Sequence, residues 1–257
     1  LKLSNLIALL KFMSKNISLM QLMSALVCAG ALALGACSSD PLEAGAGNSI
    51  GAGTTTLLVE GSARAQALTG GASKPEQFNT EFSLRISRAG VPVTTGTVIV
   101  SSLGGKVPLT FNNSQNNSGR WVGSQPGYYE VYQFDITDGT DSVTDVRVDG
   151  PDIHFLTTPT LGGSVISTAI VPVAWDRGDR ADTAYLDTKQ VEKLQILDEG
   201  KYDLPPGSLK NKKDQAENET ISITRINQLT PKGGAAGSFF SVSIVNSVDV
   251  LVAATGN

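Results

Sequence analysis

Glu81-Phe82-Ser83-Leu84-Arg85-Ile86-Ser87, running into Arg88-Ala89-Gly90-Val91-Pro92-Val93, is the stretch that decides the fold. Phe82, Leu84 and Ile86 share one parity and polar residues hold the other, the period of a half-buried strand. Ala89-Gly90 followed by Pro92 is turn chemistry, because glycine reaches left-handed backbone and proline fixes φ. The same alternation recurs outward in short runs: Thr56–Ala65, Thr97–Ser102, Val107–Phe111, Tyr129–Thr137 and Ser142–Val148. Gly104-Gly105, Asn112 to Gly119 and Asp138-Gly139 separate them as turns. This is a sandwich rhythm.

Composition agrees. Of 257 residues, 40% are hydrophobic, 17% charged and 27 glycine, a balance that favours strands and turns. The expected fold class is all-β, with two tandem β-sandwich domains at 54–149 and 150–257. The second begins at Gly150-Pro151 and continues through Ile153, Ser164–Val173, Trp175 as a core anchor, Val191–Leu197, Lys201–Leu204, Glu219–Ile226 and Ser238–Val252. Phe240, Val242, Ile244, Val248, Val250 and Val252 share one face of the last run. Only Pro206–Gln215 has the look of a helical turn. The stretch from Ile86 to Val98, with Ser118-Gly119-Arg120-Trp121 later, resembles bacterial immunoglobulin-like and carboxypeptidase-regulatory-like sandwiches.

The leader reads differently. Lys15 is followed by a run without charge from Ile17 to Ala36, and Leu34-Gly35-Ala36-Cys37 closes it. That is the layout of a secretory signal peptide over residues 1–36, with Met13 the expected true start. Leu34-Gly35-Ala36-Cys37 resembles the lipobox of bacterial lipoproteins. The resemblance implies cleavage between Ala36 and Cys37, a diacylglyceryl thioether on the Cys37 sulfur and an N-acyl chain, commonly palmitate, on its freed amine. Two or three chains anchor stably where one binds marginally. The competing reading is an uncleaved transmembrane anchor, since about 20 apolar residues span a bilayer. Ser38 after the cysteine resembles the signal for outer-membrane export in a Gram-negative host. Residues 37–53, rich in Gly, Ala and Ser, are expected to be the lipidated flexible linker, with a reach of roughly 20–25 Å.

Charge narrows the partners. The chain carries 20 basic and 24 acidic residues, a formal net charge of −4. Lys2, Lys11 and Lys15 precede Cys37 and no acid does, so cleavage leaves the remainder more acidic still. Nucleic acid is therefore not an expected partner, because its affinity comes mainly from Lys and Arg on phosphates. With Cys28 inside the leader and Cys37 at its end, no disulfide is expected.

His154 is the single histidine, which excludes a multi-histidine metal centre and favours a structural role between Ile153 and Phe155. No catalytic motif stands out. Asp135, Asp138 and Asp141 belong to an acidic run that oxygen-seeking Ca²⁺ would suit, or that simply caps and faces a hairpin. Trp121, Tyr128 and Tyr129 are candidates for a ligand platform; Tyr132 and Phe134, by parity, read as core. Arg177-Gly178-Asp179 spells an integrin-binding tripeptide in what is otherwise an ordinary solvated turn. The expected function is a membrane-anchored, non-enzymatic binding or scaffolding module of the envelope, its partner a protein or glycan. The alternatives are a carboxylate-based hydrolase or its accessory, and a structural spacer without a ligand.

Overall fold

The computed structural model describes residues 42–113 and 119–255. The leader, Ala36, Cys37 and the middle of the Asn112–Gly119 turn lie outside the described residues. Among the described residues, apart from one 3-10 turn at Pro75–Gln77, the regular elements are all strands.

One sheet of five strands has the order β1-β10-β9-β5-β6, formed by β1 (Ser49–Gly53), β10 (Asp141–Asp149), β9 (Val131–Asp138), β5 (Thr97–Ser102) and β6 (Gly105–Pro108). A small sheet holds β11 (Phe155–Thr158), β13 (Val171–Asp176) and β16 (Lys201–Leu204). The third and largest runs β15-β14-β17-β18-β2-β3-β8-β7. Its members are β15 (Leu194–Ile196), β14 (Thr183–Asp187), β17 (Glu217–Leu229), β18 (Phe239–Val252), β2 (Leu57–Ala67), β3 (Phe78–Arg88), β8 (Arg120–Pro126) and β7 (Thr110–Asn112), with β4 (Val91–Pro92) on β3 and β12 (Ser164–Val165) on β18.

The all-β sandwich expectation holds. The opening stretch forms β3, whose Phe82, Leu84 and Ile86 are buried. Ala89 and Gly90 then take positive φ of 47° and 81°, a hairpin turn that sends β4 back along β3.

The division at residue 149/150 comes out differently. β18 pairs in parallel with β2, from Phe239↔Glu60 to Val245↔Gln66, so a strand from the end of the chain completes the sheet of its beginning. Residues 42–257 form one compact unit. Two cores nevertheless persist. Phe240, Val242 and Ile244 pack with Val59, Phe82, Phe134 and Val146 in the first. Val248, Val250 and Val252 pack with Trp175, Leu186, Ile221 and Leu204 in the second. One strand, about 45 Å long at roughly 3.3 Å per residue, serves both sandwiches. Its apolar parity was legible in the sequence; the split between two cores was not, because periodicity fixes a face and not its neighbours.

Three local differences have simple causes. The expected linker ends earlier, since Ser49–Gly53 pairs antiparallel with β10 as β1. Gly51 sits at φ 64° with Thr144 O only 2.3 Å from where a Cβ would stand, so only glycine admits this approach. The expected run Ser164–Val173 breaks into β12 and β13 around a loop, and Pro206–Gln215 forms turns without a helix. β14, unread in the sequence, alternates buried Ala184 and Leu186 with half-exposed neighbours.

Between the two cores runs a polar seam. Asn246, on β18 between Ile244 and Val248, is fully buried and donates from Nδ2 to Ala72 O at 2.5 Å and His154 O at 2.6 Å. Arg225 on β17 is also fully buried. Its Nε and Nη2 both lie 3.0 Å from Asp198 Oδ2, Nη1 donates to Asp152 O at 2.8 Å, and Nη2 also donates to Asp179 O. Asp198 further accepts from Trp175 Nε1 at 3.1 Å and from the Ala181 N–H at 2.8 Å. Burial pushes its carboxyl up, but the Ala181 N–H, Arg225 and Trp175 outweigh that and hold it below the usual range.

His154 takes the structural place expected of it. It is fully buried, with Nε2 3.1 Å from Ile223 O. Burial, reinforced by the Arg225 charge, lowers its pKa to about 3. The sign follows from linkage: the unfolded imidazole, near 6.5, binds a proton that the folded one refuses, so stability is full above pH 6.5 and falls as pH drops toward 3. Between pH 7.5 and 5.5 the loss should be about 1.4 kcal/mol. Urea unfolding at both pH values measures it, and in His154→Gln the difference should largely vanish, as no other histidine exists.

Candidate functional site: a groove on the outer face of the long sheet

The outer face of the ten-stranded sheet carries a groove of about 670 Å³ across β2, β18, β17 and β14, within the size range of small-ligand sites. Register sets its rows. Arg64, Ser243 and Ile226 stand side by side; Gln66, Val245, Thr224 and Tyr185 form the next row; Ser222 and Asp187 the third. Ser243 and Val245 are the buried floor. Arg64 and Gln66 stand exposed at one wall, where Arg64 Nη2 donates to Gln66 Oε1 at 3.3 Å. Lys193 stands exposed at the other. Its backbone takes φ 46°, and its N–H donates to Asp187 Oδ1 at 2.7 Å, which fixes the rim against the floor.

The side chains singled out by sequence lie elsewhere. Trp121 and Tyr128 are 5% and 2% exposed and belong to the first core. Trp121 Nε1 donates to Val93 O at 3.0 Å, and the Tyr128 hydroxyl to Pro151 O at 2.5 Å. Tyr129 is half-buried against Gly104 and Gly127. The aromatic crowding reflects core demand: Tyr128 packs tilted against Phe78 and Tyr132, and Tyr132 meets Phe82 edge to face.

The acidic candidates are also committed. Arg88 Nη2 lies 2.7 Å from Asp138 Oδ2 and 2.6 Å from Asp141 Oδ2, and Thr95 donates to Asp138 Oδ1 at 2.9 Å. Asp135 stands apart. Its Oδ1 accepts the Asp145 N–H at 2.8 Å and so caps a bulge where Asp145 has φ 57°. Among the described residues no three His, Cys, Asp or Glu side chains gather as a metal site. The Arg177-Gly178-Asp179 loop is tied down from both sides, with the Asp179 N–H on Asp152 Oδ2 and its carbonyl accepting from Arg225.

Among solved structures, the full ectodomain of mouse nectin-like molecule 4, with its three immunoglobulin domains, is similar to this chain at 12% identity and a TM-score of 0.22. The similarity covers 78% of this chain and 65% of that one, so the chain spans less than two thirds of that ectodomain's length. No protein-family model matches the chain, and no curated protein matches it. Among the described residues no helix is long and apolar enough to cross a membrane.

The groove was missed in the sequence because its members are scattered from residue 64 to 245 and none forms a motif. The one available signal was parity. Ser222, Thr224 and Ile226, like Ser241, Ser243 and Val245, are the alternate positions of strands whose other face is core.

Proposed function

We propose that this protein is an exported lipoprotein of the bacterial envelope, held by lipid on Cys37, whose fused sandwiches act as a non-enzymatic binding or scaffolding module. The anchoring half of the reading is supported by Leu34-Gly35-Ala36-Cys37 at the end of a charge-free run, followed by a Gly-, Ala- and Ser-rich stretch that reaches β1 at Ser49. The Asp149 N–H donates to Asn48 Oδ1 at 2.8 Å, so the folded body already holds the residue before β1. Ser38 favours the outer membrane of a Gram-negative host.

The observation that carries the binding half is the groove: an open site four strands wide, mixing hydroxyls, an amide, a tyrosine and two cations. A carboxylate hydrolase is not favoured by the hairpin acids, because Arg88 engages both Asp138 and Asp141 and a general acid needs a transferable proton. The groove is thus taken as the binding face. An envelope glycan or protein is the partner class.

Metabolic labelling with a fatty-acid analogue tests the anchor. Label is expected on the wild-type protein and lost in Cys37→Ser, with release of that variant from the membrane fraction. Equal membrane retention of both proteins would count against lipidation.

A further inference from the structure

We propose that the groove is a site for an acidic oligosaccharide, a chain of sugars bearing carboxylates; this rests on the reading of the groove as the binding face. Charge is the first ground. In a chain with an excess of acid, the two walls are Arg64 and Lys193, and neither belongs to an ion pair among the described residues. The one acid lining the groove, Asp187, has Oδ1 engaged by the Lys193 N–H. Two cations therefore face the groove with charge to spare, and guanidinium and ammonium groups are the donors that carboxylates favour.

Lining chemistry is the second ground. Ser222, Thr224, Ser243 and Tyr185 offer hydroxyls that both donate and accept, and Gln66 adds an amide, which suits the vicinal hydroxyls of a sugar. The half-exposed Tyr185 adds a ring whose face can stack. A peptide is the less fitting occupant. Peptides commonly bind sheets by adding a strand to a free edge, and here β14, β17, β18 and β2 each have paired strands on both sides.

Spacing argues for a chain and not a single sugar. From β2 to β15, beside which Lys193 stands, there are four strand intervals, about 19 Å at roughly 4.8 Å each. Two long side chains shorten that gap without closing it, so one ligand touches both cations only by extending across the sheet.

The test uses residues 42–257, which contain every described strand and both cores and form one compact unit. Calorimetric titration compares oligogalacturonate, a maltooligosaccharide and oligoglutamate of equal length. Oligogalacturonate is expected to bind best, to weaken as salt rises, and to lose at least tenfold in affinity in the Arg64→Ala/Lys193→Ala double variant. Both side chains are exposed, so the variant's urea midpoint should match the wild type and keep the comparison clean. Equal binding of the neutral sugar, tighter binding of oligoglutamate, or no binding of oligogalacturonate overturns the proposal. Neutral-sugar binding that is lost in Tyr185→Ala would do so while leaving the groove as the binding face. Absence of all binding, with crosslinks in the envelope mapping to another surface, would remove that reading as well.

Discussion

Arg225→Ala is expected to destabilise the protein by about 3–5 kcal/mol, the usual consequence of stripping one partner from a buried ion pair. Asp198 would keep its charge at 2% exposure with only the Trp175 Nε1 and Ala181 N–H donors left. The Asp152 and Asp179 carbonyls would lose their donor too. Arg225→Lys should fall between, since an ammonium keeps the charge without the fork that reaches three acceptors at once. Urea unfolding at pH 7.5 reads both, and a loss under 1 kcal/mol for Arg225→Ala would mean that the seam is not a structural centre. The guanidinium links β17, the 150–155 connection, the 177–179 loop and the segment after β15. Its loss should therefore raise hydrogen exchange in all four, more than in β3 or β9.

Asn246→Leu is expected to cost about 2–6 kcal/mol, because the carbonyls of Ala72 and His154 would each be left buried without a donor at about 1–3 kcal/mol apiece. The position says more than the magnitude. Asn246 stands on the shared strand where one apolar core gives way to the other, and its two bonds hold the 72 loop and the 154 segment against that strand. Leucine fits the face but not the bonds. The wild type is expected to unfold in one cooperative step, and Asn246→Leu to broaden or split it as the sandwiches lose their common tie. Unfolding transitions that no longer coincide between Trp121 in the first core and Trp175 in the second, resolved by single-tryptophan variants, would detect the separation. A variant as cooperative and as stable as wild type would show that the strand's hydrogen bonds to β17 alone couple the halves.

Much of the architecture was written in alternation. β3, β9 and β18 show a clean parity of two, and their turns carry glycine where φ must be positive. Even the hairpin of β9 and β10 was readable, although its bulge was not: Val143 and Val146 both face inward because Asp145 absorbs one residue of register. A single inserted residue leaves little trace in composition. The candidate site was less legible. Aromatic and acidic residues drew the eye by density, yet Trp121 and Tyr128 were crowded by packing, and Asp138 and Asp141 by their pairing with Arg88. Density along the chain records what a strand needs from its neighbours as readily as what a ligand needs.

By itself, then, the sequence determined the all-β class, the strand faces and the structural fate of His154 and Trp175, and the proposed anchor rests on its Leu34-Gly35-Ala36-Cys37 stretch alone. These are local matters, decided by side-chain period, turn chemistry and residue type within a few positions. Tertiary structure alone decided that β18 returns to β2, that one strand feeds two cores across a seam of Arg225 and Asn246, and that Arg64 meets the same groove as Tyr185 and Lys193. Those pairings join residues from 27 positions apart, Arg225 to Asp198, to well over a hundred, β18 to β2, and strand order in a sheet is set by the global burial of apolar faces, which no local pattern encodes.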